Sequence, residues 1–377
     1  MNEAEQALSE ARASAAEGWK TPAERARGLG ARGARLPTGL ATLDRATRGG
    51  PMTGRVLVVG GAPGAGKTAL LVQLAHGYAG QGHPVAVLAA DEEADGLLIR
   101  WGQQGGLSRE ALEAGDEEAR SVLGARVETL PFLLVDAEED DATVEDVAEE
   151  LARRAAGRPA VLFVDSLQSA RARSTGPDMM TPRERIDRVM RTLRALAQRN
   201  RLLVVATSEV SRGSYAGGSW QVNDLAAFKE SGGIEYGASM ALVMRCSSHE
   251  ANLFEVGMPK NRLGPRLGFW LSLDPERATF HEVDAPERSR QDATGAPPLP
   301  PRERVLAALA GGRTFPNRNA LVAGAGGGNR QRMLGAIAAL VDEGVIEETP
   351  GCVRLAPSGF EPVPVPGSPY RGGNREP

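Results

Sequence analysis

One short stretch limits the folds open to this chain more than any other: "GAPGAGKT", residues 61–68, lies between the apolar run "RVLVVG" and the helix-forming run "ALLVQLAHGYAG". Its spacing is G-x-x-x-x-G-K-[ST], a pattern that works where a buried strand turns directly into a helix. There the glycines let backbone N–H groups face inward around phosphate oxygens, at the positive end of the helix. Gly61, Ala62, Pro63, Gly64, Ala65, Gly66, Lys67, Thr68 and Ala69 are therefore expected to cradle a nucleotide. Lys67 would reach the β- and γ-phosphates and the Thr68 hydroxyl would hold Mg²⁺, so the expected ligands are ATP and Mg²⁺. An ordinary Gly-rich turn would need neither flank.

A strand–loop–helix start asks for more strands beside it. The apolar runs "PVAVLAA", "PAVLFVDS" and "RLLVVATS" alternate with the helical stretches "ATVEDVAEELARRAAG" and "ERIDRVMRTLRALAQRN". Continuous β-branched runs separated by helices describe an α/β fold, a mainly parallel sheet covered by helices on both faces. "GASMALVMRC", "NLFEVGMP" and "LGFWLSLDPERATFHEV" read as antiparallel strands that extend it. Asp165 ends "AVLFVD", which puts a carboxylate at the tip of a buried strand, where it can hold Mg²⁺ through water. Alone, such an Asp serves equally well as a helix cap; the phosphate loop decides between the two. Asp91, Glu92 and Glu93 follow "PVAVLA", and one of these carboxylates is expected to orient the attacking water. At least one of the three only complements the dipole of the helix that follows.

With 377 residues the chain exceeds one average domain, and its 41% hydrophobic and 24% charged content is that of a globular protein. The spacing divides it into a helical arm and basic linker (1–35), the α/β domain (36–285), a Pro-rich linker (286–301), a small second unit (302–356) and a tail too poor in apolar residues to fold (357–377). The net charge of −4 hides an asymmetry. Residues 18–55 carry Lys20, Arg25, Arg27, Arg32, Arg35, Arg45, Arg48 and Arg55 against Glu24 and Asp44 alone, whereas "DAEEDDATVEDVAEE" is a solvated acidic face. Cys246 and Cys352 have neither disulfide nor zinc spacing. No signal-like or membrane-spanning run is visible, so a cytoplasmic protein is expected.

Five segments, in order, resemble the RecA-like ATPases of the DnaB-type replicative helicase group, which also includes RadA-like and KaiC-like proteins. "LPTGLATLDRATRGG" is similar to that family's lead-in "TG-x-x-x-LD…GG", and "VDSLQ" to its "IDYLQ". "LRALAQRNRLLVVATSEVSR", "FKESGGIEYGASMALVM" and "MPKNRLGP" resemble "LK-x-LA…VIALSQLNR", "LRESGAIEQDADVV" and "AKNRNGP". The resemblance runs from about Leu36 to Val283. It implies a catalytic carboxylate within "DEE", at Asp91 by ungapped spacing or at Glu92 by usual chemistry. It implies a γ-phosphate sensor at Ser208 and Glu209, where Glu stands in place of Gln and has no N–H to donate. Lys229, Glu230 and Gly232 would track single-stranded DNA with Arg212, and Tyr215 or Trp220 is either a base-stacking residue or an incidental surface aromatic. Lys260 and Arg262, alternate residues on one strand face, would act in trans on the neighbouring subunit's γ-phosphate.

The small unit reads as a winged helix-turn-helix: "RERVLAALAGG", "NRNALVAGA" and "GNRQRMLGAIAALVDEG" as helices, then "VIEET" and "CVRLAP" as a hairpin. Arg330 and Arg332 open its third helix with Arg318 near by, where a recognition helix would meet duplex DNA. Its acidic wing suits a protein contact instead. The resemblance thus implies a homo-oligomeric, hexameric ring that unwinds DNA, with single-stranded DNA and a helicase loader or primase as partners. A plasmid, phage or mobile-element replicon would be its setting. The competing expectation is a non-motor RecA-like ATPase acting as a DNA-binding regulator or recombination factor.

Overall fold

A computed structural model describes residues 21–28, 33–173, 180–210, 228, 232–247, 250–285, 300–325 and 330–356. The arm read at residues 3–17, the Pro-rich stretch 286–299 and the tail lie outside these. The chain forms two compact units, Met1–Ala285 and Pro286–Pro377.

The first unit begins with α1 (Pro22–Arg27), a short exposed helix inside the stretch read as basic linker; Thr21 and Glu24 close a reciprocal capping box over its first turn. Then follow α2 (Ala41–Ala46), β1 (Arg55–Gly61), α3 (Lys67–Gly80), β2 (Val85–Ala89), α4 (Ala94–Gln104), α5 (Arg109–Glu113), α6 (Glu117–Glu128) and β3 (Phe132–Asp136). α7 (Val144–Ala155), β4 (Ala160–Asp165), α8 (Pro182–Asn200), β5 (Leu202–Glu209), α9 (Gly232–Gly237), β6 (Met240–Cys246), β7 (Leu253–Asn261), β8 (Phe269–Asp274) and β9 (Thr279–Val283) complete it.

The nine strands form one sheet in the order β3-β2-β4-β5-β1-β6-β7-β8-β9. Its first six strands are parallel, so β6, read from sequence as antiparallel, pairs parallel with β1. Antiparallel pairing starts only at β7. Strands buried on both faces need two cores, and there are two. Leu57, Val59, Leu71, Phe163 and Leu242 pack on one face under α2, α3 and α4, and Val58, Leu162, Leu193, Val204 and Val243 on the other under α7 and α8.

The lead-in is a structural clasp. The Asp44 carboxylate accepts from Thr38 N–H and hydroxyl (both 2.8 Å) and from Gly39 N–H (3.2 Å), which explains a Thr-Gly pair spaced ahead of Leu-Asp. On the far side, Gln73 of α3 donates to Phe280 O (2.9 Å) and accepts from Phe280 N–H (2.6 Å), while Gln104 donates to Ala278 O (3.1 Å). These amides fasten the β8–β9 hairpin to the helices that flank the phosphate loop.

The second unit comprises α10 (Pro301–Leu309), α11 (Arg318–Gly324), α12 (Arg330–Asp342) and the antiparallel pair β10 (Ile346–Thr349) and β11 (Cys352–Leu355). Val305, Leu309, Leu321, Met333, Ile337, Leu340 and Val353 form its core. Phe315 bridges Val353 in an added antiparallel pairing.

Candidate active site

β1 delivers the loop at its C-terminal end. Gly66, the N-cap of α3, sits at φ 77° and so favours glycine, and a Cβ there would lie 2.7 Å from the Phe280 ring. Lys67 donates to the loop carbonyls of Gly61 (3.1 Å) and Ala62 (3.0 Å). Burial pulls its ammonium below the usual lysine range, against the opposing pull of Glu209, Asp165 and Asp91.

Asp165 is buried at the end of β4. Burial raises its carboxyl above the usual range, while hydroxyls of Thr207 and Thr68 act the other way. Thr207 donates to Oδ1, whereas Oδ2 has no hydrogen-bond partner. A buried carboxylate oxygen without a partner beside the Thr68 hydroxyl is the donor set a hard divalent cation takes, so the residues present fit Mg²⁺. Among the described residues no group of three or more His, Cys, Asp or Glu gathers elsewhere. When bound, the cation would neutralise phosphate charge; Thr68 and Asp165 would hold it.

The β2–β4 register sets Ala89 beside Asp165, and the N–H groups of Ala90 and Asp91 both donate to Asp165 O (2.6 and 2.8 Å). Asp91 therefore stands next to the metal-site carboxylate, with Ser169 donating to its Oδ1 (3.0 Å). Glu92 instead forms an ion pair with Arg100 of α4. Glu93 is the N-cap residue of α4, without a side-chain cap bond. At the tip of β5, Ser208 accepts from the Gln168 amide (3.0 Å), and Gln168 Oε1 accepts from Glu209 N–H (3.3 Å). Gln168 thus supplies, beside Glu209, the amide that a carboxylate cannot. Its signal in the sequence was the last letter of "VDSLQ", a segment in which Asp165 alone carried an obvious chemistry.

Lys260 and Arg262 lie at the other end of the sheet. Lys260 pairs with Ala241, and Ala241 with Val58, three residues before the loop begins, two strands away. Because β7 runs against β1, its cations leave the sheet at the end opposite the loop. Lys260 donates to the Glu235 carbonyl of α9. Burial lowers its pKa, Arg262 and Arg194 lower it further, and Glu235 opposes them. Arg194, on α8, is a third cation that the strand pattern gave no reason to single out. Among the described residues Arg262 has no carboxylate partner.

Lys229, Glu230, Arg212, Tyr215 and Trp220 lie outside the described residues; Gly232 opens α9. Phe228, just before them, is buried against Gly60, and Asp187 of α8 accepts from Gly233 N–H just after them (2.7 Å). In the second unit Arg332 is exposed, Arg330 begins α12, and Arg318 is held by Glu348 of the hairpin (2.6 and 2.9 Å).

A phosphate loop leaving a central parallel strand, with carboxylates at the tips of β2 and β4 and an antiparallel extension beyond β6, defines a RecA-like ATPase domain. Two solved structures share the fold. One is a DnaB-like replicative helicase described with its interactions with primase (TM-score 0.58, 18% identity, 67% of this chain and 62% of that one). The other is an ATPase domain solved by itself (TM-score 0.59, 18% identity, 74% and 99%). The model of the DnaB-like helicase C terminal domain matches residues 35–282, and the chain belongs to that family.

Curated relatives include the DNA repair protein RadA of Mycolicibacterium smegmatis (32% identical over 99 residues, 26% of this chain and 21% of that one). The RadA of Mycobacterium tuberculosis strain CDC 1551 is 28% identical over 182 residues, 48% of this chain and 32% of that one. The chain spans a third or less of the length of these relatives. Among the described residues no helix is long and apolar enough to cross a membrane.

Proposed function

We propose that this chain is an ATP-dependent DNA helicase of the DnaB-like type that hydrolyses ATP at subunit interfaces of a homo-oligomeric ring, a hexamer in our reading, and moves on single-stranded DNA. One observation carries the trans part: Lys260 and Arg262 stand at the sheet end opposite their own phosphate loop, so they can serve only a phosphate brought by another subunit. There they would stabilise charge developing on the transferred phosphoryl group. Asp91 is the carboxylate we assign to the attacking water, because Glu92 is engaged by Arg100. Lys67 would hold the phosphates, Thr68 and Asp165 the Mg²⁺, and Ser208, supported by Gln168, would sense the γ-phosphate. The segment between the anchors at Phe228 and Gly233, with Lys229, Glu230 and Gly232, is our DNA-tracking loop, joined by Arg212.

The second unit has the element order of a winged helix, and Arg330 and Arg332 are its proposed duplex contacts. A loader or primase partner, a cytoplasmic setting and replication of a plasmid, phage or mobile element complete the reading. The RadA likeness and the Arg318–Glu348 pairing, which withdraws one cation from DNA, favour a second reading: a recombination factor or regulator that hydrolyses ATP without unwinding. Unwinding of a forked duplex, with Lys67→Ala as control and native mass measurement alongside, separates them. ATP-dependent unwinding by a ring supports the first. A monomer or dimer that hydrolyses ATP yet never unwinds overturns it.

A further inference from the structure

We infer that Asn261, between the two cations, is the positioning residue that aims Arg262 across the subunit boundary; this rests on the trans reading above. Arg262 lies one residue beyond β7, yet its N–H still donates to Ser239 O (3.0 Å), so the ladder continues and Lys260 and Arg262 keep the same face. Asn261 faces the other way. Its Nδ2 donates to Ala46 O (2.9 Å) at the end of α2 and to Pro265 O (2.7 Å), and its Oδ1 accepts from Leu263 N–H (2.9 Å). One carboxamide thus closes the turn 261–265 on itself and fastens it to α2.

The seat is tight. A Cβ on Gly264 would lie 2.2 Å from Ala46 O, so only glycine lets the turn approach so closely. α2 is itself held by the Asp44 clasp. Aspartate keeps the acceptor but lacks both donors, and alanine lacks all three groups. Without this fastening the base of Arg262 is free to shift, and a displacement of about 1 Å at a group acting on a transition state costs on the order of 100-fold in rate.

The test uses the full chain under conditions where it assembles. Asn261→Ala and Asn261→Asp should lower kcat by about 30-fold or more, while affinity for a fluorescent ATP analogue and the melting temperature stay near those of the parent. Two readouts exclude a merely structural role. The Asn261→Ala, Arg262→Ala double variant should be no slower than Arg262→Ala alone, since both act through one group. Mixing Asn261→Ala with Lys67→Ala subunits should recover part of the ATPase. If Arg262→Ala is fully active, the trans reading itself fails. If Arg262→Ala is inactive while both Asn261 variants keep parental rates, or if the double variant is slower by the product of the single effects, the inference fails alone. Failure of both Asn261 variants to fold would also overturn it, making the residue one of stability.

Discussion

The two ends of the central sheet gather charge in opposite ways. At the loop end Lys67 sits among Asp165, Asp91 and Glu209, so the cation and the carboxylates largely answer one another. At the far end Lys260 is crowded by Arg262 and Arg194, with Glu235 the single opposing charge. Like charges held together on a fold's surface cost free energy until an anion arrives. The first end is arranged to receive a metal–nucleotide complex, the second to be presented to one. The second unit marks the contrast, since Arg302, Arg318 and Arg354 are each paired with a glutamate of the same unit.

The largest effect that can break this comparison is in the finger. Arg262→Ala should lower ATPase by about 1,000-fold, and mixing it with Lys67→Ala subunits should restore activity, because mixed assemblies contain intact interfaces. Steady-state ATPase across mixing ratios checks this; a strictly linear dilution curve despite co-assembly would place both groups in one site. A smaller effect sharpens the loop end. Asp91→Asn should cost on the order of 100-fold in kcat, and Glu92→Gln less than about tenfold, as single-turnover hydrolysis would show.

The smallest concerns stability. The folded-state pKa of Asp165 is raised by burial, so its favourable contribution is complete below the ordinary carboxylate range and lost as pH rises through the raised value. Its ionised form therefore weighs on the nucleotide-free fold at neutral pH. Asp165→Asn should raise the melting temperature by roughly 2 °C at pH 8, with the gain vanishing toward pH 4. Calorimetry at several pH values measures it.

Much of this was legible from sequence because the signals are local. The phosphate loop, Asp165 at the end of an apolar run and the continuous β-branched strands each follow from a few adjacent residues. What escaped was non-local or weakly patterned. β3 is short and only half-buried, and α5 and α6 bury just Leu112, Ala119 and Leu123 among their residues, so neither gave a clear period. The parallel pairing of β6 depends on where the chain returns after α9. The roles of Gln168 and Asn261 depend on carbonyls and hydroxyls 40 and 215 residues away. Arg318 looked available for DNA because Glu348, its partner, is 30 residues downstream.

The grip of Gln73 on both polar groups of Phe280 has a mechanical side. It ties the hairpin, and through β7 the two cations, to the very helix whose first residues carry the phosphate loop, leaving no hinge between the site a subunit owns and the site it visits. Such a subunit turns as a stiff plank: any tilt imposed where it holds its own nucleotide is delivered undiminished to its neighbour's.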